Sequence, residues 1–299
     1  MNFKKIIFFI FSFICFEQLY AQDSSLLKML NDSVRIHSVT GYVFGTFKGT
    51  HIINQQTIEA PAGGALNLII MHRFGPISGT YNFFGLDNAT IRIGLDYGIT
   101  NRLAIGIGRS SLDKILDGYV KYKIFRQTDG STMPISLSFL EVVTNHTDRI
   151  GKTLSAADRT AYASEFLIAR KFNKFSLQLT PGWLHFNAPP LTADANDIFS
   201  LGFGARVKIT KRMSITGEYN YFNTNEVAFT KVYNSYGLAW EIETGGHVFQ
   251  LVLTNAQHMI EPYFIARTTS SKDIYFGFNI TRNFNISKHA KHSVSGWQK

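Results

Sequence analysis

Few residues of this chain combine a reactive type with a useful spacing. His72, His185, His247 and His258 are general-base candidates by residue type alone. A hydrolase would need one of them within hydrogen-bond reach of a Ser or Thr nucleophile. No Gly-x-Ser-x-Gly elbow supplies that nucleophile, because Gly108-Arg109-Ser110-Ser111 lacks the second glycine. His289 and His292 stand three apart with no carboxylate beside them, a poor donor set for a metal. The one cysteine, Cys15, lies in an apolar leader, so the mature chain has no thiol for disulfides, catalysis or haem attachment. No glycine-rich phosphate loop leads from a strand into a helix. The expectation is a protein that is not an enzyme, with no catalytic, cofactor-binding or metal site.

A second set of polar residues is placed by rule. Arg92, Asp96, Lys121, Lys123, Arg206, Lys208, Glu218, Glu241 and Glu243 each alternate with apolar neighbours. Residues two apart share one face of a strand, so these nine are the candidate lumen-facing charges of a barrel. In a narrow interior of low dielectric they must pair or stay hydrated. Paired, they form a ladder bracing a closed barrel. Hydrated, they line a pore with a weak anion bias.

The strands that carry them are read from period two. Thr90 to Ile99 puts Ile91, Ile93, Leu95 and Tyr97 on one face and Thr90, Arg92, Gly94 and Asp96 on the other. Ile198 to Ile209 repeats the pattern, with Phe199, Leu201, Phe203 and Val207 opposite Ser200, Gly202, Gly204 and Arg206. Further alternation runs through 103–108, 119–124, 238–243, 249–254 and 275–280, and more weakly through 66–73, 135–144, 166–171, 175–183 and 213–221. Val43 to Ile53 is one more candidate. The segments reach about nine to twelve residues, whereas ordinary strands cluster near 5–6 and tilted membrane-spanning strands need about 9–11.

Connections alternate in length as well. Thr100-Asn101, Phe172-Asn173-Lys174, Thr210-Lys211-Arg212 and Thr244-Gly245-Gly246 are short. Between them lie longer ones at 75–88, 110–116, 145–159, 187–196, 223–235 and 256–272. Short turns on one rim and long loops on the other mark an outer-membrane barrel. The fold class is therefore all-β, an antiparallel up-and-down transmembrane β-barrel of about 12 strands (12–14), with a short N-terminal helix. Val43 to Ile53 is the odd strand out, either a separate N-terminal segment or a strand whose partner is unrecognised. The inward partners are often Gly, Ser and Thr, which suits a narrow hydrated interior. Tyr97, Trp183, Tyr219, Tyr221 and Tyr236, near strand ends, suit interfacial girdles.

Composition agrees. The chain is 45% apolar but only 17% charged, against about 25% charged in an average soluble domain, which excludes a disordered chain. Past residue 21 no apolar run reaches the length of a membrane helix. Lys4 and Lys5, the apolar run Ile6 to Phe16 and the Ala21-Gln22 boundary read as a signal peptide over 1–21. Residues 22–38, with Leu26, Leu27, Met29 and Leu30 behind Asp23 and Ser24, read as the short helix of a periplasmic segment. The barrel takes 39–286, and 287–299 is a basic tail. Net charge is +9, falling to +8 without Lys4, Lys5 and Glu17. The positive residues are dispersed, so no nucleic-acid surface is expected, and they suit anionic lipid headgroups instead.

Several stretches resemble an uncharacterised family of Gram-negative outer-membrane β-barrel proteins, a domain of unknown function. They include Thr46-Phe47-Lys48, Met71-His72-Arg73-Phe74-Gly75, Phe84-Gly85-Leu86-Asp87 and Gly94-Leu95-Asp96-Tyr97-Gly98-Ile99-Thr100. Others are Gly108-Arg109-Ser110-Ser111, the run from Gly118 to Lys123, the run from Gly245 to Leu251 and the run from Phe276 to Arg282. The resemblance implies a secreted barrel and no particular activity. It departs from such barrels at the end, where the basic tail follows Phe284 in place of a terminal aromatic.

The leading expectation is an outer-membrane barrel acting as a small pore or transporter, or as a structural barrel. Its partners would be outer-membrane lipid and the barrel-assembly machinery, with a small solute or lipid as cargo. Two alternatives compete. A lipid-acting barrel enzyme requires a Ser or Thr beside His72, His185 or His247. A soluble periplasmic ligand-binding barrel requires Phe199, Phe203 and Leu251 to point inward.

Overall fold

Side chains of a strand alternate between two environments, and here the two are separated by a closed wall. The computed structural model describes residues 41–77, 85–130, 132–147, 154–189 and 193–286. The expected signal peptide, N-terminal helix and basic tail lie outside the described residues.

Strands β1 (Ala65–Pro76), β2 (Thr90–Gly98), β3 (Leu103–Ser110), β4 (Ile115–Phe125), β5 (Ser136–His146) and β6 (Thr160–Phe172) form the first half of the wall. Strands β7 (Phe175–Phe186), β8 (Asp197–Lys208), β9 (Met213–Phe222), β10 (Ser235–Thr244), β11 (His247–Thr254) and β12 (Tyr275–Asn285) complete it. Each strand pairs antiparallel with its sequence neighbours, and β1 pairs with β12, so twelve strands close an up-and-down barrel with no free edge. Closure matters because an open edge would leave backbone groups unsatisfied in hydrocarbon.

In β2 the buried positions are Thr90, Arg92, Gly94, Asp96 and Gly98, while Ile91, Ile93, Leu95 and Tyr97 are exposed. The same sense holds around the wall. Phe199 is 73% exposed, and Phe203 and Leu251 point outward with it. The apolar stripe therefore faces out, and the soluble ligand-binding barrel is overturned. A few outward positions break the rule, Arg109, Arg170 and Arg282 toward strand ends and Glu141 at mid-strand. Glu141, midway along β5, is on the outward register and accepts a hydrogen bond from Ser164 Oγ of β6 at 2.5 Å.

The rims differ. Connections β2–β3, β6–β7, β8–β9 and β10–β11 are tight turns, while the opposite rim carries the longer loops except at β3–β4, where the connection read as long at 110–116 is only residues 111–114, a single short turn. On the short-turn rim, the connection between β4 and β5 is the one long exception, and the chain entering from the N-terminal side uses it: Val43 N–H donates to Gln127 O at 2.8 Å.

Val43 to Ile53 is not a strand of the wall. Residues 46–60 are almost wholly buried and form a re-entrant hairpin inside the barrel. His51 bridges to Gln56, Ile52 N–H donates to Gln55 O at 2.8 Å, and Thr57 N–H donates to Thr50 O at 2.9 Å. The sequence alternated because this segment too has two environments, both of them within the lumen. The β11–β12 loop enters from the other end, and its short helix α1 (Tyr263–Ala266) is buried. Together the two fill the expected hydrated interior: Phe47, Ile52, Ile53 and Ile58 of the hairpin pack with Leu140, Val142, Leu167 and Leu184 of the wall and with Ile260, Phe264 and Ile265 of the loop.

An outward-facing cation at mid-wall tests the orientation. Leu251→Arg is expected to destabilise the barrel in lipid by about 2–4 kcal/mol, read as a shift in denaturant unfolding in vesicles. A cost below about 0.5 kcal/mol, the range of ordinary surface substitutions, would contradict an outward, lipid-facing Leu251.

Candidate functional site in the barrel lumen

A buried polypeptide brings N–H and C=O groups that must find partners. The hairpin reaches few of them within itself, so wall side chains supply the rest. At its turn the Glu218 carboxylate of β9 accepts the N–H groups of Ile53, Asn54 and Gln55, each at 3.0 Å. Lys121 Nζ of β4 donates to Thr57 O at 2.9 Å and Glu59 O at 3.0 Å. Gln178 of β7 accepts Ile58 N–H at 2.8 Å and donates to Gln56 O at 2.7 Å. Gln250 of β11 and Asn279 of β12 donate to Ile52 O and Ile53 O, each at 2.8 Å.

Side-chain pairs add register. Gln55 Nε2 donates to Asn220 Oδ1 at 2.7 Å, Arg73 Nη2 donates to Asn54 Oδ1 at 2.8 Å, and Thr50 Oγ1 donates to Asp96 Oδ2 at 3.1 Å. Two wall glycines make room. A Cβ at Gly202 would sit 2.0 Å from Gln55 Nε2, and one at Gly204 would sit 2.1 Å from Ile52 Cδ1.

The nine candidate charges all stand on inward registers, in three arrangements. Arg206 pairs with Glu241 at 2.9 Å, and Arg92 pairs with Asp117, which the sequence reading had not singled out. Lys121, Glu218 and Asp96 serve the hairpin, and Glu243 meets its Lys48 at 2.7 Å. Lys123 and Lys208 lie half-buried toward the short-turn rim. Buried Arg73 and Glu165 were also missed. Arg73 follows His72 in a segment of weak alternation, and nothing in Glu165's neighbours marks it as facing a plug.

The histidines are scattered. His72 stacks on Phe278 with ring centroids 4.9 Å apart, His185 Nδ1 meets Asp197 at 2.7 Å, and His247 stacks near Phe249. Among the described residues none of the three has a Ser or Thr hydrogen-bond partner, so the geometry that the lipid-enzyme alternative requires is not present there.

At the long-loop end a cavity of about 400 Å³ is lined by Asp113, His146, Phe186, His258, Tyr263 and Arg267, among others. Asp113 Oδ2 lies 3.5 Å from His258 Nε2 and 3.8 Å from His146 Nε2. Burial pushes His258 down to about 4, and the Asp113 carboxylate opposes that shift. The neighbouring imidazoles, His146 before His258, hold Asp113 below the usual carboxylate value.

With this geometry in view, the sequence match is informative. A family model described as "Membrane bound beta barrel domain (DUF5777)" matches residues 47–284. The chain belongs to this family of membrane-bound β-barrels. The matched span takes in the hairpin from Phe47 as well as the wall. No curated protein matches the sequence. Among solved structures the chain is similar to the NanC porin at 7% identity and TM-score 0.49, covering 73% of this chain and 98% of that one. It is similar to the KdgM porin at 8% identity and TM-score 0.45, covering 74% and 99%. Similarity to the outer membrane phospholipase A from Escherichia coli is 9% identity and TM-score 0.45, covering 79% and 98%.

Two outcomes are expected. Glu218→Ala leaves three buried N–H groups without an acceptor and is expected to destabilise the docked hairpin by about 3–5 kcal/mol. Hydrogen exchange of the 52–56 amides should accelerate accordingly, with Glu218→Gln intermediate. For His258 the unfolded chain takes up its proton near 6.5 and the folded chain only near 4. Between those values the unfolded state binds more protons, so this group's contribution falls as pH drops through that window. The full loss is about 3 kcal/mol. His258→Gln should therefore lose less thermal stability than the wild type between pH 7 and pH 4.5.

Proposed function

We propose that the protein is an outer-membrane solute channel held closed by its own hairpin, with the β11–β12 loop as a second closure. The observation that carries this reading is that the hairpin enters and leaves the lumen at one rim. Val43 is tied to Gln127 at the short-turn rim, and Gly63 and Gly64 are tied to Asn101 and Gly98 at that same rim. A loop tethered this way can withdraw without threading and without breaking a wall strand. Its contacts are hydrogen bonds, ion pairs and apolar packing, all reversible. Once withdrawn it exposes a wall rich in Gln, Asn and paired charges, which water and solutes can occupy. Glu261 of the loop accepts Gln56 N–H of the hairpin at 3.3 Å, so the two closures meet inside the barrel.

The competing reading is a structural barrel with a permanent core. It draws on the apolar packing shared by hairpin, wall and loop. Single-channel recording in planar bilayers separates the two. Three proteins are compared: the wild type, Glu218→Ala, and Glu218→Ala with residues 257–268 replaced by a Gly-Ser linker. Conductance is expected to be rare in the first, more frequent in the second and sustained in the third. A third protein that folds, as judged by heat-modifiable migration, and never conducts would establish the structural reading instead.

A further inference from the structure

We infer that the lumen wall is a peptide-binding surface and that hairpin 46–60 is its tethered occupant, so the cargo class is a short peptide carrying apolar side chains. The inference rests on the channel reading for access and goes beyond it in naming what the open lumen takes.

The argument is in what the wall touches. Its contacts with the hairpin fall mainly on main-chain groups. Glu218 takes three consecutive N–H groups, and Lys121 takes two carbonyls on the descending leg. Gln178 takes one N–H and one C=O, while Gln250 and Asn279 take adjacent carbonyls at the turn. These five side chains come from β4, β7, β9, β11 and β12, around most of the circumference. None of these contacts depends on the identity of the hairpin side chain. Donors and acceptors are placed as a polypeptide needs them: the Glu218 carboxylate faces three successive N–H groups, and the Gln178 amide bridges an N–H and a C=O. Apolar wall residues between them receive Ile52, Ile53 and Ile58. The closed wall has no free edge on which an added strand could pair, so the backbone of whatever fills it must be met by side chains, and this wall carries them.

The test uses the full chain. A protease recognition sequence is inserted between Ala62 and Gly63, at the short-turn rim, and the protein is folded and then cut. The N-terminal fragment is afterwards held only by its non-covalent contacts with the lumen and with the rim at Val43. A fluorescent peptide of residues 46–60 is added, with anisotropy reporting uptake and size exclusion reporting release of the fragment. The labelled peptide is expected to replace the fragment. A scrambled peptide of the same composition should compete within about tenfold, because the wall reads backbone, and maltoheptaose should not compete. Binding of the native sequence alone, equal competition by maltoheptaose, or a released fragment with no peptide uptake would each overturn the inference. So would a fragment that never exchanges. Conductance of the same cut barrel reports separately on the channel reading. A barrel that conducts but takes up no peptide refutes this inference and leaves the channel. A barrel that binds peptide but never conducts does the reverse.

Discussion

A polypeptide placed inside a barrel must have its main-chain polar groups met by something other than bulk water. That constraint organises the interior. The carboxylate of Glu218 on three successive N–H groups of the hairpin turn is its most concentrated expression. An unpaired carboxylate and three unpaired N–H groups would each be costly in so dry a space. Together they satisfy one another and fix the height at which the hairpin stops. The amides at 178, 250 and 279 extend the same solution along both legs.

The wall composition follows. Where the hairpin presses closest, at Ile52 and Gln55, the facing wall positions are Gly204 and Gly202, since no side chain fits. Other inward charges neutralise one another across an intervening strand, Arg92 with Asp117 over β3 and Arg206 with Glu241 over β9. The outward face obeys a separate rule of apolar and aromatic residues, which is why Glu141 stands out there. Its Ser164 partner satisfies one oxygen of a group that hydrocarbon disfavours.

The wall was legible in the sequence because each strand divides two environments, and period two records that division directly. All twelve alternating segments correspond to strands, and the nine charges read as inward stand on inward registers. The interior was not legible, for a physical reason. Alternation says that a residue faces away from lipid, not whether it then meets water, another strand or a plug. Gly202 and Gly204 carry the same letters whether they border water or Ile52. Val43 to Ile53 alternates like a strand because a hairpin within a lumen also has two sides. Asp117 escaped notice because the alternation around it begins only at Tyr119, and Glu165 because its strand has small inward residues at Ala161 and Ala163.

The hairpin and the β11–β12 loop differ in how they are attached. The β11–β12 loop is anchored at both ends to wall strands and closes the long-loop end, held there by His258 beside Asp113 and by its own apolar residues. The hairpin is anchored at the opposite rim, where Arg126 lies over the rings of Tyr42 and Phe44 at 4.1 and 5.0 Å. The two share the contact between Gln56 and Glu261. Movement of either removes a partner from the other and exposes apolar surface that had been common to both. Withdrawal of the hairpin therefore weakens the loop, and swinging out of the loop weakens the hairpin. A hairpin and a loop that enter from opposite rims are thus joined in the middle of one barrel by a hydrogen bond and a common apolar cluster.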